Sequence, residues 1–186
     1  RPLTDDEVKE MSYLMIQGGF DTTGSAISNA LIRLSSDRVA RQRLIDEPGL
    51  MGSAVEEFLR IEAPQFAMAR TANVDVTIGG QEIKAGDKIL MVWASANRDK
   101  TVFDDPDELR LDRFPNRHMT FGLGAHRCLG SNLARRQIEV ALRAVLQRMP
   151  DYEIDLDAAT RPETIGIAYG MFALPATYTP GPRWFR

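Results

Sequence analysis

Cysteine is nearly missing from this chain, with one residue in 186. That excludes an internal disulfide framework and makes a cytoplasmic setting the simplest expectation. With only two histidines besides, the chain also falls short of the usual structural zinc ligand sets. Neither sign of charge is in excess: 23 Lys and Arg against 26 Asp and Glu leave a net charge of −3, without the basic footprint that nucleic-acid binding requires. No apolar run approaches the roughly 18 residues needed to span a bilayer, and no internal repeat or low-complexity tract is visible. What is there is an ordinary globular composition, 44% hydrophobic and 26% charged. It fits one domain, or a large part of one, with material for a real core.

Residues 4 to 35 read as one long helix opened by Thr4, with Val8, Met11, Leu14 and Met15, then Ile27, Leu31 and Leu34, at helical spacing. Its middle, "IQGGFDTTGS", is a poor helix, since each interior glycine costs about 1 kcal/mol relative to alanine; Gly18, Gly19 and Gly24 need a compensating reason. A second helix is expected over 37 to 47 and a third from Leu50 to the stop at Pro64. "VDVTI" and "EIKAGDKILMVW" flank Gly79-Gly80 as a hairpin. A long turn-rich connection follows, of the kind that is usually functional or disordered in compact domains. The last helix is expected over 129 to 148, carrying Leu133, Ile138, Ala141, Leu142, Val145 and Leu146 to a core. Short strands are expected in "DYEIDL" and "IGIAYGMFALPATY". The fold class is therefore mainly α with small β-sheets (α+β).

The one cysteine, Cys128, lies in "FGLGAHRCLG" directly before the last helix. A helix N-terminus presents free N–H groups and a partial positive charge, which favour a thiolate over a thiol. Gly122, Gly124 and Gly130 let the backbone turn tightly and approach a flat ligand, and His126 and Arg127 offer groups to anionic substituents. Taken alone, these residues leave three readings open: an inert cysteine, a Cys128–His126 nucleophile pair, or a ligand loop.

At every defining position, Phe121, Gly122, Gly124, His126, Cys128 and Gly130, the stretch resembles the haem-binding loop of the cytochrome P450 family. The resemblance implies haem b as cofactor, with Cys128 as the axial thiolate ligand of its iron. It also implies Phe121 packed near the sulfur and His126 on a propionate. Three further stretches agree in order. "GGFDTT" is similar to the oxygen-activation motif, with Asp21 and Thr22 as the acid–alcohol pair and the Thr22 hydroxyl reaching the Gly18 carbonyl to open the helix locally; the alternative is a polar face with glycines for close helix packing. Glu57-x-x-Arg60 is similar to the family's ExxR pair, with Arg113 from "LDRF" as the third charge of a buried structural network. "ANRD" (96–99) resembles bacterial members and reads as loop structure.

Weaker assignments follow from the same resemblance. Arg70 matches a second propionate-binding arginine or is an exposed hairpin residue. His118 lies near a propionate or caps the loop. Gln65, Phe66, Ala67, Met68, Met171 and Phe172, with Gly18 and Phe20 on the first helix, would line a mostly hydrophobic substrate pocket, or are ordinary packing. Arg127, Arg135 and Arg136 would form the docking face for an acidic ferredoxin- or flavodoxin-type electron donor, or are solvated surface charge. The implied activity is a dioxygen-dependent monooxygenase; the alternative is a non-catalytic haem-thiolate sensor. Because the motifs correspond only to the C-terminal half of the family's fold, the resemblance implies a fragment lacking the N-terminal half and inactive by itself, with apolar surface left exposed along the first helix.

Overall fold

A computed structural model describes residues 1–163 and 168–181. Helix α1 runs Asp5–Ser36 and is opened by a reciprocal capping box: the Glu7 amide donates to Thr4 Oγ1 at 3.2 Å and the Thr4 amide to Glu7 Oε2 at 2.8 Å. α2 (Arg38–Asp46) and α3 (Met51–Glu62) follow. α3 ends two residues before Pro64 because Ala63 takes a left-handed conformation, φ 33°, and proline disfavours helix in the residue before it. The last long helix, labelled α5 below, is Ser131–Arg148; α1, α3 and α5 pack together around Ala30, Leu34, Ala54, Phe58, Leu59, Ile138 and Leu142.

Among the described residues, three small two-stranded antiparallel sheets decorate this core. β1 (Ala67–Thr71), β2 (Val76–Ile78), β3 (Gln81–Ile83) and β4 (Lys88–Val92) occur in chain order. β2 and β3 form the hairpin expected at Gly79-Gly80. The second arm expected there, however, breaks at a turn around Lys84–Asp87, and β4 pairs instead with β1, Ala67 opposite Val92 and Thr71 opposite Lys88. A single turn, α4 (Trp93–Ala96), leads into the long connection. β5 (Glu153–Ile154) pairs with β6 (Ala176–Thr177). Ile165 to Ile167 of the expected C-terminal strand region lie outside the described residues.

One expectation about packing is corrected. Leu133 is 64% exposed and takes no part in the core. Along α1 the stripe of Val8, Met11, Leu14 and Met15 is exposed, and only Ala26, Ala30 and Leu34 of that helix are apolar and buried. No helix among the described residues is long and apolar enough to cross a membrane.

Candidate active site

Glu57 and Arg60, both 0% exposed, share one face of α3, and Arg113 reaches them from the long connection. Both Glu57 oxygens are filled: Arg60 donates to each at 2.8 Å, Arg113 Nε to each at 3.1 Å, the Arg110 amide to Oε1 at 2.9 Å and Asn116 Nδ2 to Oε2 at 3.1 Å. Burial alone would push this carboxyl up; the hydrogen bonds from Arg60, Arg110 and Arg113 outweigh it and hold it below its ordinary value. The guanidinium groups spend their remaining donors on loop carbonyls, those of Asn97, Pro106 and Glu108 for Arg60 and of Asp104, Asp105 and Glu108 for Arg113.

Asn97, read from the sequence as loop structure, is the second anchor. Fully buried, it donates to the Arg60 carbonyl (3.1 Å) and Thr120 Oγ1 (2.8 Å) and accepts from the Met119 amide (2.7 Å). The Thr120 hydroxyl in turn donates to the Leu59 carbonyl at 2.6 Å. The end of α3 therefore dictates where residues 119–121 lie, and the cysteine loop starts there.

The loop closes on itself: the Gly122 amide donates to the Met119 carbonyl and the Cys128 amide to the Phe121 carbonyl, both at 2.8 Å. Gly122 and Gly124 hold φ of 65° and 67°, a left-handed geometry that a side chain makes costly. Gly130 does not: its φ of −80° is open to any residue, and a methyl group there would lie 3.9 Å from Cys128 Sγ. The helix starts two residues later than expected, at Ser131, so Cys128 stands just ahead of its cap. Cys128 is exposed, and so are His126, Leu123 and Leu129. No hydrogen bond joins His126 to Cys128 among the described residues, which leaves the nucleophile-pair reading unsupported.

A polar cluster unsuspected from sequence sits behind the loop. Glu56 accepts from Arg135 Nε at 2.5 Å and Nη2 at 3.0 Å, and its Oε2 lies 3.0 Å from His118 Nε2. The Arg135 guanidinium covers the Phe121 ring at 4.5 Å. Arg135 is thus half-buried, its guanidinium engaged by Glu56 and Phe121 rather than free at the surface. Arg127 and Arg136 are exposed, Arg136 pairing with Glu139 at 3.0 Å. His118 caps the loop, accepting from the Thr120 amide at 3.3 Å.

Burial raises the Glu56 carboxyl, but hydrogen bonds from His118 and Arg135 prevail and bring it down to about 2. A depressed carboxyl adds stability above its unfolded value and loses it as pH falls through the folded one. Glu56→Gln is therefore expected to be less stable than wild type by about 1 kcal/mol at neutral pH, after allowance for solvent screening. The gap should shrink below about pH 4.5 and close near pH 2, read by urea unfolding at several pH values.

On α1, Thr22 Oγ1 donates to the Gly18 carbonyl at 2.9 Å, as expected, yet the helix continues unbroken through it. Asp21 is exposed. A methyl group placed on Gly18, Gly19 or Gly24 would meet nothing within 4 Å, so these glycines serve no close packing within the described residues; they leave space. The C-terminal segment is pinned beside this helix: Asn29 Nδ2 donates to the Tyr169 carbonyl (2.8 Å), the Tyr169 amide to the Pro64 carbonyl (2.7 Å), and Gly170 abuts Ser25 so tightly that a methyl group there would overlap it. The two stretches carrying Gln65, Phe66, Met68 and Met171 are thereby joined through the Gln65–Ala168 bridge. Those four side chains are half-buried, whereas Phe20 and Phe172 are 83% and 78% exposed. Arg70, on β1, is exposed and among the described residues donates only to the Ala69 carbonyl.

An exposed thiol stands on a glycine-turned loop at the head of a helix, beside a buried carboxylate–diarginine network. The chain belongs to the cytochrome P450 family, whose model matches residues 1–177. It is 36% identical over 178 residues to the steroid C26-monooxygenase of Mycolicibacterium smegmatis, covering 96% of this chain and 44% of that protein. To the 20-oxo-5-O-mycaminosyltylactone 23-monooxygenase of Streptomyces fradiae it is also 36% identical, covering 95% and 42%. The substrate-free structure of CYP109E1 from Bacillus megaterium matches with a TM-score of 0.92 at 35% identity, covering 97% of this chain and 47% of that one. The chain thus spans less than half the length of these relatives.

The family implies haem, and the residues present fit it. The thiol is exposed, the loop beside it bears bare apolar groups at Leu123 and Leu129, and the α1 glycines keep their surroundings clear. Such a surface suits a broad apolar plate with one soft ligand to its metal.

Proposed function

We propose that this chain is the C-terminal part of a haem b-dependent monooxygenase that places one atom of dioxygen in a hydrophobic small molecule and releases the other as water, consuming two electrons and two protons. The observation carrying the proposal is the exposed Cys128, alone in its sequence and presented on the Gly122–Gly124 turns. Bound haem would supply one-electron and dioxygen chemistry, made more favourable to O–O cleavage by a thiolate ligand.

The chain's own residues have separable tasks in this reading. Cys128 offers its sulfur as the axial ligand. His126 and Arg70, both exposed and free of side-chain partners among the described residues, hold the propionates. Phe121 backs the loop, its carbonyl taking the Cys128 amide. Thr22 holds its proton toward the Gly18 carbonyl from a helix stretch kept open by glycine, and Asp21 next to it provides the exchangeable carboxyl that refills it. Gln65, Phe66, Met68 and Met171 offer one polar group in an apolar wall, with Phe20 and Phe172 beside the opening; the steroid and macrolactone named for the relatives are of that character. Arg127 and Arg136, flanked by exposed Leu129 and Leu133, give an acidic ferredoxin- or flavodoxin-type donor a basic, partly apolar landing site.

Thr22→Ala tests the proton assignment. With haem bound and an electron donor supplied, product formed per electron should fall about tenfold or more, the lost electrons appearing as hydrogen peroxide, while Thr23→Ala stays coupled. Unchanged coupling in Thr22→Ala would remove the acid–alcohol pair from the mechanism and favour the sensor reading.

A further inference from the structure

Phe121 is gripped from two elements and braced by a third. Arg135 of α5 lies over its ring at 4.5 Å, and His118, from the end of the long connection, meets it at a centroid distance of 6.0 Å with the rings tilted by 52°. Glu56 of α3 holds both partners, taking two hydrogen bonds from Arg135 and facing His118 Nε2 at 3.0 Å. The grip is planar and two-pronged: a flat guanidinium can bind a carboxylate with two N–H groups while stacking on a ring, and a lysine ammonium cannot. Between His118 and Phe121, Thr120 is tied to the Leu59 carbonyl and to Asn97. The Phe121 carbonyl is the acceptor for the Cys128 amide. A shift of the Phe121 ring would therefore pull on the peptide that sets the height of Cys128.

We infer that Glu56, His118 and Arg135 form a clamp on Phe121, and that Arg135 is a positioning residue for the Cys128 loop rather than a docking charge for the electron donor. The part of this inference that concerns ligation rests on the reading of Cys128 as the haem ligand; the part that concerns the loop stands on the contacts alone. The clamp also accounts for the orientation of α5: Arg135 lies three residues before the buried Ile138 and four after the buried Ser131, on the face turned to the core.

The test is amide hydrogen exchange on the protein with and without haem. In Arg135→Ala the Cys128 and Gly122 amides should exchange about tenfold faster or more, while the Leu59 and Leu142 amides stay within about twofold of wild type. Arg143→Ala, on the same helix and paired with Glu139, should leave all four unchanged. Arg135→Lys keeps a charge for Glu56 but withdraws the flat group from the ring; if the alanine variant does not fold, this one decides, and faster exchange confined to the loop supports the clamp. Unchanged exchange at Cys128, or equal acceleration everywhere, overturns it. The carbon monoxide spectrum of the wild-type protein decides separately whether the thiolate reading holds, so the two failures are distinguishable.

Discussion

Glu57→Gln is expected to cost about 3–5 kcal/mol of folding stability, the range for breaking a buried ion pair from one side. Against a total of roughly 5–15 kcal/mol for a domain, that should bring the urea midpoint far down or leave the chain largely unfolded. The reason is the state of what remains. Arg60 is 0% exposed and Arg113 is 5% exposed, so neither guanidinium can recover its charge partner from water. The usual escape, exchanging such a network for apolar side chains at little cost, is closed here. The two arginines also satisfy the carbonyls of Asn97, Asp104, Asp105, Pro106 and Glu108, and a buried carbonyl without a donor is costly in its own right. Arg113→Lys should therefore also destabilise, because one ammonium cannot reach the Asp104, Asp105 and Glu108 carbonyls together with Glu57. A Glu57→Gln variant within about 1 kcal/mol of wild type would show that the loop is held by something other than this network.

The same carbonyls explain what was legible in the sequence and what was not. The pairing of Glu57, Arg60 and Arg113 is announced by residue types and spacing. That the arginines hold a connection with little regular structure is not, because backbone carbonyls carry no sequence signal. That Asn97, read as loop structure, anchors α3, and that Glu56 takes part at all, is hidden for a related reason. An asparagine in a turn and a second glutamate beside Glu57 look like surface residues until the packing of α3 on the connection and α5 buries the first fully and the second in part. Strand β1 was missed because "AMART" offers no clean alternation and its partner, β4, lies beyond an intervening hairpin.

Other differences could have been read by stricter geometry. Ile138, Leu142 and Leu146 recur every four residues and define the inner face of α5. Leu133, five positions before Ile138, falls well off that face, whereas Arg135, three positions before it, falls on it. The exposed leucine and the inward arginine both follow. For α1, periodicity revealed an apolar stripe at Val8, Met11, Leu14 and Met15 but said nothing of what would cover it. A pattern of side chains specifies a face; only the tertiary arrangement specifies its neighbour.

Cys128→Ser is expected to behave in the opposite way to Glu57→Gln: stability nearly unchanged, ligation lost. The side chain is exposed and contributes nothing to the core, and the bond from residue 128 to the Phe121 carbonyl is made by the backbone amide, which serine retains. Unfolding free energy should thus stay within about 0.5 kcal/mol of wild type. A serine hydroxyl, however, is a neutral and weak ligand at pH 7, whereas a cysteine binds a metal as the thiolate, its proton released to solvent on binding. With haem bound, reduced and exposed to carbon monoxide, the wild-type protein should show the strongly red-shifted Soret band of thiolate ligation, and Cys128→Ser should not. The chain has no second cysteine, so a red-shifted band that survives the substitution would leave no thiolate to explain it and would end the assignment of this loop as the haem site. Loss of the band together with loss of folding would instead mean that Cys128 carries structural weight that its exposure does not suggest. Loss of the band in a protein that still unfolds at the wild-type midpoint is the result that separates a ligand from a packing residue.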